Sequence, residues 1–155
     1  MVVREFQPGD EAVFRSLNEE WIVRHFRLLE AKDEEALSNP RETVLDKGGR
    51  IFFATLDDQC VGCCALLPKS DTEFELGKMA VTQSRQGSGI GRKLLVAAIE
   101  AARSAGARRL YLETNHTLTP AIRLYESMGF TRLPPERVKP SPYVRATVSM
   151  EMILE

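Results

Sequence analysis

The chain is short of the residues that mark special environments. Its 155 residues hold 3 cysteines, 2 histidines and 1 tryptophan, and aromatics make up only 7%. Cys60, Cys63 and Cys64 crowd into one apolar segment, an odd number that supplies no disulfide framework. Alternation along a strand over 60–67 sends Cys60 and Cys63 to opposite faces, and no second Cys or His pair stands at ligand spacing. The three thiols therefore read as small buried side chains, and no metal site is expected. Long apolar runs are absent as well. The longest charge-free stretch, 59–68, falls far short of the ~18–20 residues of a membrane helix. Arg4, Glu5 and Asp10 interrupt the N-terminus, which argues against a signal peptide. The expectation is a soluble cytoplasmic protein with no membrane partner.

What is present is ordinary globular material, 43% hydrophobic and 28% charged. A chain of this length buries roughly 68–70% of its unfolded surface, enough for one core, so 1–155 is expected to be a single domain. The net charge of −1 conceals a division. Residues 1–76 carry 9 basic and 16 acidic side chains, a net of −7, whereas 77–155 carry 12 and 6, a net of +6. The basic half is expected to meet an anion and the acidic half a cation. Nucleic acid is not the expected anion, because no basic stripe with interleaved aromatics exists.

The punctuation of the chain predicts an α/β (mixed α+β) layer. A strand over 2–6 turns at Gln7-Pro8-Gly9 into a helix behind the cap candidate Asp10, with an apolar stripe running from Val13 to Leu29. A second short helix begins at Asn39-Pro40 and stops at Gly48-Gly49. Strands over 50–56 and 60–67 form a hairpin around Asp57-Asp58-Gln59, and a third strand over 72–81 continues the meander. An alanine- and leucine-rich helix over 90–105, a strand over 109–114, a helix from Thr119-Pro120 to Met128 and a strand over 130–133 follow. After a loop holding Pro134, Pro135, Pro140 and Pro142, alternation from Val144 to Met152 predicts a half-buried final strand. Its exposed edge could pair with a second copy in a homodimer.

The segment Gln86-Gly87-Ser88-Gly89-Ile90-Gly91 lies between a strand and a helix, flanked by Arg85, Arg92 and Lys93. Free helix N-terminal N–H groups favour an anion there, and glycine lets a phosphate approach the backbone. A dinucleotide fingerprint requires a sixth-position glycine, but Arg92 or Leu94 stands there. A nucleotide-hydrolase loop requires Gly-Lys-Ser/Thr, which Gly91-Arg92-Lys93 does not supply.

The sequence QGSGIG instead resembles the Gln/Arg-x-x-Gly-x-Gly/Ala signature of the GNAT superfamily of acyl-CoA-dependent N-acetyltransferases. FELGKMAV and LYLETN are similar to that family's fourth and fifth strands, and TPAIRLYESMGF to the helix and strand that close its coenzyme site. The resemblance runs from about Phe74 to Phe130. It implies a mixed, twisted sheet of about seven strands with four flanking helices and a V-shaped split between the fourth and fifth strands. It further implies acetyl-CoA as donor and an unidentified amine as acceptor. By position, the Met79-Ala80-Val81 backbone would pair with pantetheine, and the amides from Gln86 to Arg92 would hold the pyrophosphate. Arg85, Arg92 and Lys93 would surround the phosphates, and Asn115, Pro120 and Ala121 would contact the coenzyme. Tyr125 occupies the position of the general acid that protonates the departing sulfur.

An alkylamine is neutral in only about one molecule in 2,500 at pH 7, a cost of roughly 4.6 kcal/mol, so a base or a water relay is needed. Glu75 is the preferred base, because strand alternation places it and Glu73 on one face with Met79 and Val81. Glu113 and His116 are further candidates. Trp21, His25 and Phe26 belong to the helix that forms the acceptor pocket in this family. A non-catalytic acyl-CoA sensor with the same fold is the competing expectation, and Tyr125 separates the two.

Overall fold

The computed structural model describes residues 1–154. One seven-stranded sheet runs in the order β1-β2-β3-β4-β5-β7-β6. Its strands are β1 (Val2–Glu5), β2 (Arg50–Leu56), β3 (Gln59–Pro68), β4 (Glu73–Val81), β5 (Arg109–Thr114), β6 (Thr131–Arg132) and β7 (Val148–Ile153). The hairpin turn between β2 and β3 is built from Asp57 and Asp58, with φ of 52° and 63°. Two left-handed residues give the turn the twist of the flanking strands, and Asp tolerates that region better than most side chains.

Five α-helices cover the sheet rather than the four expected: α1 (Glu11–Phe26), α2 (Ala31–Ser38), α3 (Pro40–Thr43), α4 (Ile90–Ser104) and α5 (Thr119–Ser127). The first helix does not continue to Leu29, because Arg27 takes a φ of 72° and closes it. The helix α2 was not legible as an apolar stripe, since Asp33 and Leu37 are its buried residues. Asp10 starts α1 without capping it. Its carboxylate accepts the Gln7 N–H at 2.7 Å and pairs with Arg4.

Two cores form on the two faces of the sheet. One packs Phe52, Cys64, Leu66, Phe74, Leu76, Leu110 and Leu112 under α4 and α5. The other packs Ile51, Phe53, Cys63, Ala65 and Ala80 under α1 and the α2–α3 segment. A bulge between Ala54 and Thr55 sets Val61 outside the pairing, so parity changes along β3. As a result Cys60 and Cys63 pack toward the same core rather than opposite ones. Cys63 and Cys64 are buried, which pushes both thiols up, Cys64 to about 12.

The final strand also departs from expectation. It begins at Val148, and Val144 stands 89% exposed in the preceding loop. It lies between β5 and β6, so it is no free edge on which a second copy could add. Its polar residues Ser149 and Glu151 are buried because partners reach them. The carboxylate of Glu151 is gripped by Arg137 and Arg109 at 2.6 and 2.7 Å, and their hydrogen bonds lower its pKa to about 2.

Gly49 leaves no room for a side chain, since a Cβ there would sit 2.7 Å from the carbonyl oxygens of both Leu66 and Val44. Gly49→Ala should destabilise the fold by about 1–3 kcal/mol, read as a lower urea midpoint at unchanged slope. A midpoint equal to that of the wild type would contradict this packing.

Candidate active site

The site arises from the way β4 and β5 part. Their parallel pairing is confined to Glu73 with Arg109, Phe74 with Leu110 and Glu75 with Tyr111. Beyond that point each strand stays paired on its outer side, β4 with β3 up to Val81 and β5 with β7 up to Thr114. The inner edges from Gly77 to Val81 and from Leu112 to Thr114 face one another without a ladder. Their backbone groups are available to an extended ligand, as at any unpaired strand edge.

A bulge in β4 sets what faces the split. Cys63 pairs with Ala80 and Ala65 with Gly77, so Lys78 and Met79 together stand opposite Cys64. Lys78 takes a φ of 50°, uncommon for a residue with a Cβ. The extra residue reverses the alternation. Met79 and Val81 join Phe74 and Leu76 on the α4–α5 face, whereas Glu73 and Glu75 lie on the opposite face. The expected sharing of one face by Glu73, Glu75, Met79 and Val81 is thereby corrected.

A cleft of about 1530 Å³ passes through the split. On the α4–α5 side it is lined by Met79, Val81, Gly91, Pro120, Ala121 and Tyr125, and at its end by Arg85, Gln86, Gly87, Gly89, Ile90 and Arg92. Ala80 and Asn115 also reach it, but Ser88 and Lys93 do not line it. The Ser88 hydroxyl is turned inward to the Arg85 carbonyl. Gly87 and Gly89 have φ of 82° and 83°, and Gly89 precedes α4 without a side-chain cap, so the first-turn N–H groups stay open. Gly91 packs closely, and a Cβ there would lie 3.1 Å from Leu124 and 3.2 Å from Met79, whose side chains would have to yield.

Tyr125 is 9% exposed, and its hydroxyl points to the Met79 sulfur at 3.8 Å, a weak acceptor. Burial pushes its pKa up to about 12. Asn115 is largely committed within the chain: its amide donates to the Arg145 carbonyl at 2.7 Å, and its oxygen accepts from Thr117 N–H at 2.9 Å. Arg92 reaches α5, donating to the Ser127 hydroxyl at 2.9 Å.

On the other face the cleft meets Trp21, His25, Phe26, Tyr111, Tyr143 and Arg145. Glu75 pairs with Lys69 at 3.1 Å and Glu73 with Arg109 at 3.2 Å. Glu113 differs, since it accepts from the Tyr111 hydroxyl at 2.9 Å and the Ser141 hydroxyl at 2.8 Å and has no cation as partner among the described residues. The His116 ring is occupied with the Thr147 hydroxyl and does not line the cleft. Sequence reading did not find the group that closes this wall. Asp33, fully buried on α2, holds Lys78 at 3.0 Å and both terminal nitrogens of Arg145. Arg145 in turn lies 5.5 Å from Trp21 and 4.7 Å from Tyr143. Burial disfavours the Asp33 carboxylate, but the hydrogen bonds from Arg145, the Glu30 N–H and Lys78 prevail and lower its pKa to about 2.

The family model for the GNAT acetyltransferase family matches residues 11–130. This chain belongs to the GNAT acetyltransferase family. A mycothiol acetyltransferase of Thermomonospora curvata is 29% identical over 143 residues, 92% of this chain and 48% of that protein. YjgM of Escherichia coli, described as an uncharacterized N-acetyltransferase, is 38% identical over 89 residues, 56% of this chain and 53% of that protein. The chain thus spans about half the length of these curated relatives. An acetyltransferase of the GNAT family from Staphylococcus aureus has the same fold, with a TM-score of 0.89 at 19% identity over 99% of each chain. YncA of Salmonella typhimurium, solved with acetyl-CoA, superposes with a TM-score of 0.77 at 20% identity, over 99% of this chain and 94% of that one.

Arg145→Ala would leave Asp33 buried with Lys78 as its one cation, so it should cost about 3–5 kcal/mol in urea unfolding and red-shift the emission of Trp21. Asp33 is ionised in the fold down to a pKa of about 2. A carboxyl with a depressed folded pKa contributes stability above its unfolded value of about 4, and that stability is lost as pH falls toward the folded value. Wild-type stability should therefore decline from about pH 4 downward, and Asp33→Asn should flatten the decline; equal slopes would contradict the assignment.

Proposed function

We propose that this chain transfers an acetyl group from acetyl-CoA to a primary amine by direct attack in a ternary complex. The observation that carries the reading is Tyr125, a buried, protonated phenol beside Met79 at the wall of an open strand split. Family membership and the acetyltransferase names of the relatives support it.

The residues fit the donor. The unpaired inner edge of β4 offers amide and carbonyl groups to pantetheine, and its N–H groups near Val81 are donors for the thioester oxygen. Open N–H groups from Gly87 to Arg92, with Arg85 and Arg92 beside them, suit the phosphates. Bound acetyl-CoA supplies the activated acetyl thioester.

The acceptor enters from the α1 face, beside Trp21, His25 and Tyr143. Glu113 takes the proton from the ammonium, directly or through water, because it is the cleft carboxylate held by hydroxyls rather than by a cation. Glu75, the preferred base from sequence, is neutralised by Lys69 and shapes the field instead. As the carbon–nitrogen bond forms and the carbon–sulfur bond breaks, Tyr125 gives its proton to the sulfur, and the second proton of the amine nitrogen passes through water to the phenolate, which leaves the amide, the coenzyme A thiol and a restored Tyr125. Cys63 and Cys64 are buried with raised pKa values, which disfavours a cysteine-linked acyl-enzyme.

Tyr125→Phe should lower kcat by about 10²–10⁴ while leaving coenzyme A affinity within about threefold, in a thiol-release assay run over an amine panel. Because its pKa is pushed up to about 12, Tyr125 keeps its proton past the ordinary tyrosine value of about 10. The wild-type rate should not fall between about pH 8 and about 10. Binding of acetyl-CoA with no acetylated product from any amine would favour the non-catalytic sensor. Glu113→Gln should cost more in kcat than Glu75→Gln, and the reverse order would return the base to Glu75.

A further inference from the structure

Glu20 takes no part in the transfer chemistry above, yet it makes a specific contact. Its carboxylate leaves α1 and meets the chain just after β4. It accepts the Gln83 N–H at 2.8 Å and the Thr82 hydroxyl at 3.1 Å. Thr82 precedes a single 3-10 turn, Gln83–Arg85, that has no side-chain cap of its own. Glu20 supplies the missing acceptor from a distant helix.

The remainder of the loop has little else to hold it. Residues 83–89 are all exposed, so no apolar side chain anchors them. Their other side-chain bonds are local: Gln86 to the Val81 carbonyl at 3.1 Å, and Ser88 to the Arg85 carbonyl. Among the described residues, Glu20 is the one side chain from outside 82–89 that hydrogen-bonds to this segment. Two left-handed glycines, Gly87 and Gly89, follow immediately and leave the backbone many alternatives to the phosphate-binding shape. Fixing the turn before them restricts that freedom.

The sign of the charge makes the contact informative. A carboxylate next to a loop that receives phosphates repels them, so electrostatics alone would make Glu20 a handicap for coenzyme binding. We propose that Glu20 is a positioning residue for the coenzyme: it holds the Thr82–Arg85 turn so that the amides from Gly87 to Arg92 converge on the pyrophosphate. This rests on the acetyl-CoA reading given above. Glu20 also ties the phosphate loop to the helix whose next residue, Trp21, lines the acceptor side of the cleft.

The two effects predict opposite signs, which calorimetric titration of the 155-residue chain separates. The probes are coenzyme A and pantetheine, which has no phosphates. Glu20→Ala should weaken coenzyme A binding by about 3- to 10-fold, the loss of a hydrogen-bonded cap, and leave pantetheine binding unchanged. Glu20→Gln keeps an acceptor oxygen and removes the charge, so it should bind coenzyme A as tightly as wild type or more tightly. The inference is overturned if Glu20→Ala binds coenzyme A as well as or better than wild type, which would make Glu20 only a repulsive neighbour. It is equally overturned if both probes weaken together, which would indicate a general loosening of the fold. Failure of the wild type to bind coenzyme A is read first, and it would remove the acetyltransferase reading and this inference with it.

Discussion

One additional residue in β4 governs which groups can meet. Opposite Cys64 the strand carries two residues, Lys78 and Met79, and the alternation of its side chains reverses there. Before the bulge, Phe74 and Leu76 fill the α4–α5 core, and after it Met79 and Val81 do. A regular strand would have turned Met79 and Val81 toward α1 and left Tyr125 without its neighbour. The ladder to β5 has already ended at Glu75, so the bulge sets the lining of the cleft a few residues beyond the point where the strands part.

The bulge is held from the far face by charge. Lys78 stretches to Asp33, which also receives Arg145, and Tyr143 donates its ring to both cations. A buried carboxylate with one partner would be costly, but four hydrogen bonds to two cations and a backbone N–H satisfy it. Helix α2, the β4 bulge and the segment before β7 are thereby joined at a point where apolar packing alone would allow sliding. The same network changes the meaning of the charge division. Glu30, Asp33 and Glu73 of the acidic half pair with Arg145, Lys78 and Arg109 of the basic half. Much of the asymmetry is therefore settled inside the molecule, and of the carboxylates on the two strands that flank the split, Glu73, Glu75 and Glu113, the last is the one without a cation among the described residues.

The features legible in the sequence were those with local causes. Pro120 signals a first helical turn and Asp57-Asp58-Gln59 a tight hairpin, and both stand as expected, while the structure adds that Gly87 and Gly89 are left-handed. Tyr125 was assigned through the resemblance of TPAIRLYESMGF to the family's helix and strand, a match carried by one short stretch of sequence. What escaped had causes distant in sequence. Asp33 looked like one acidic residue among many on a polar stretch, and only the cations from residues 78 and 145 explain its burial. Ser149 and Glu151 looked solvent-facing because alternation marks them polar, but Tyr111, Arg109 and Arg137 make their burial tolerable. Bulges in β3 and β4 were invisible, since one unpaired residue leaves no mark in a run of apolar and polar letters.

By itself the sequence determined the order of elements apart from α2, the glycine loop ahead of α4 and the phenol on α5, because backbone conformation and helix spacing are properties of neighbouring residues. Tertiary structure alone decided which faces those groups share. Parity along a strand is set by its register against another strand, and whether a carboxylate is a base, a salt-bridge partner or a brace is set by the cation that the fold brings beside it. Glu75, Glu113, Asp33 and Glu20 are chemically alike in the sequence, and the fold gives them Lys69, two hydroxyls, a pair of half-buried cations and a loop amide.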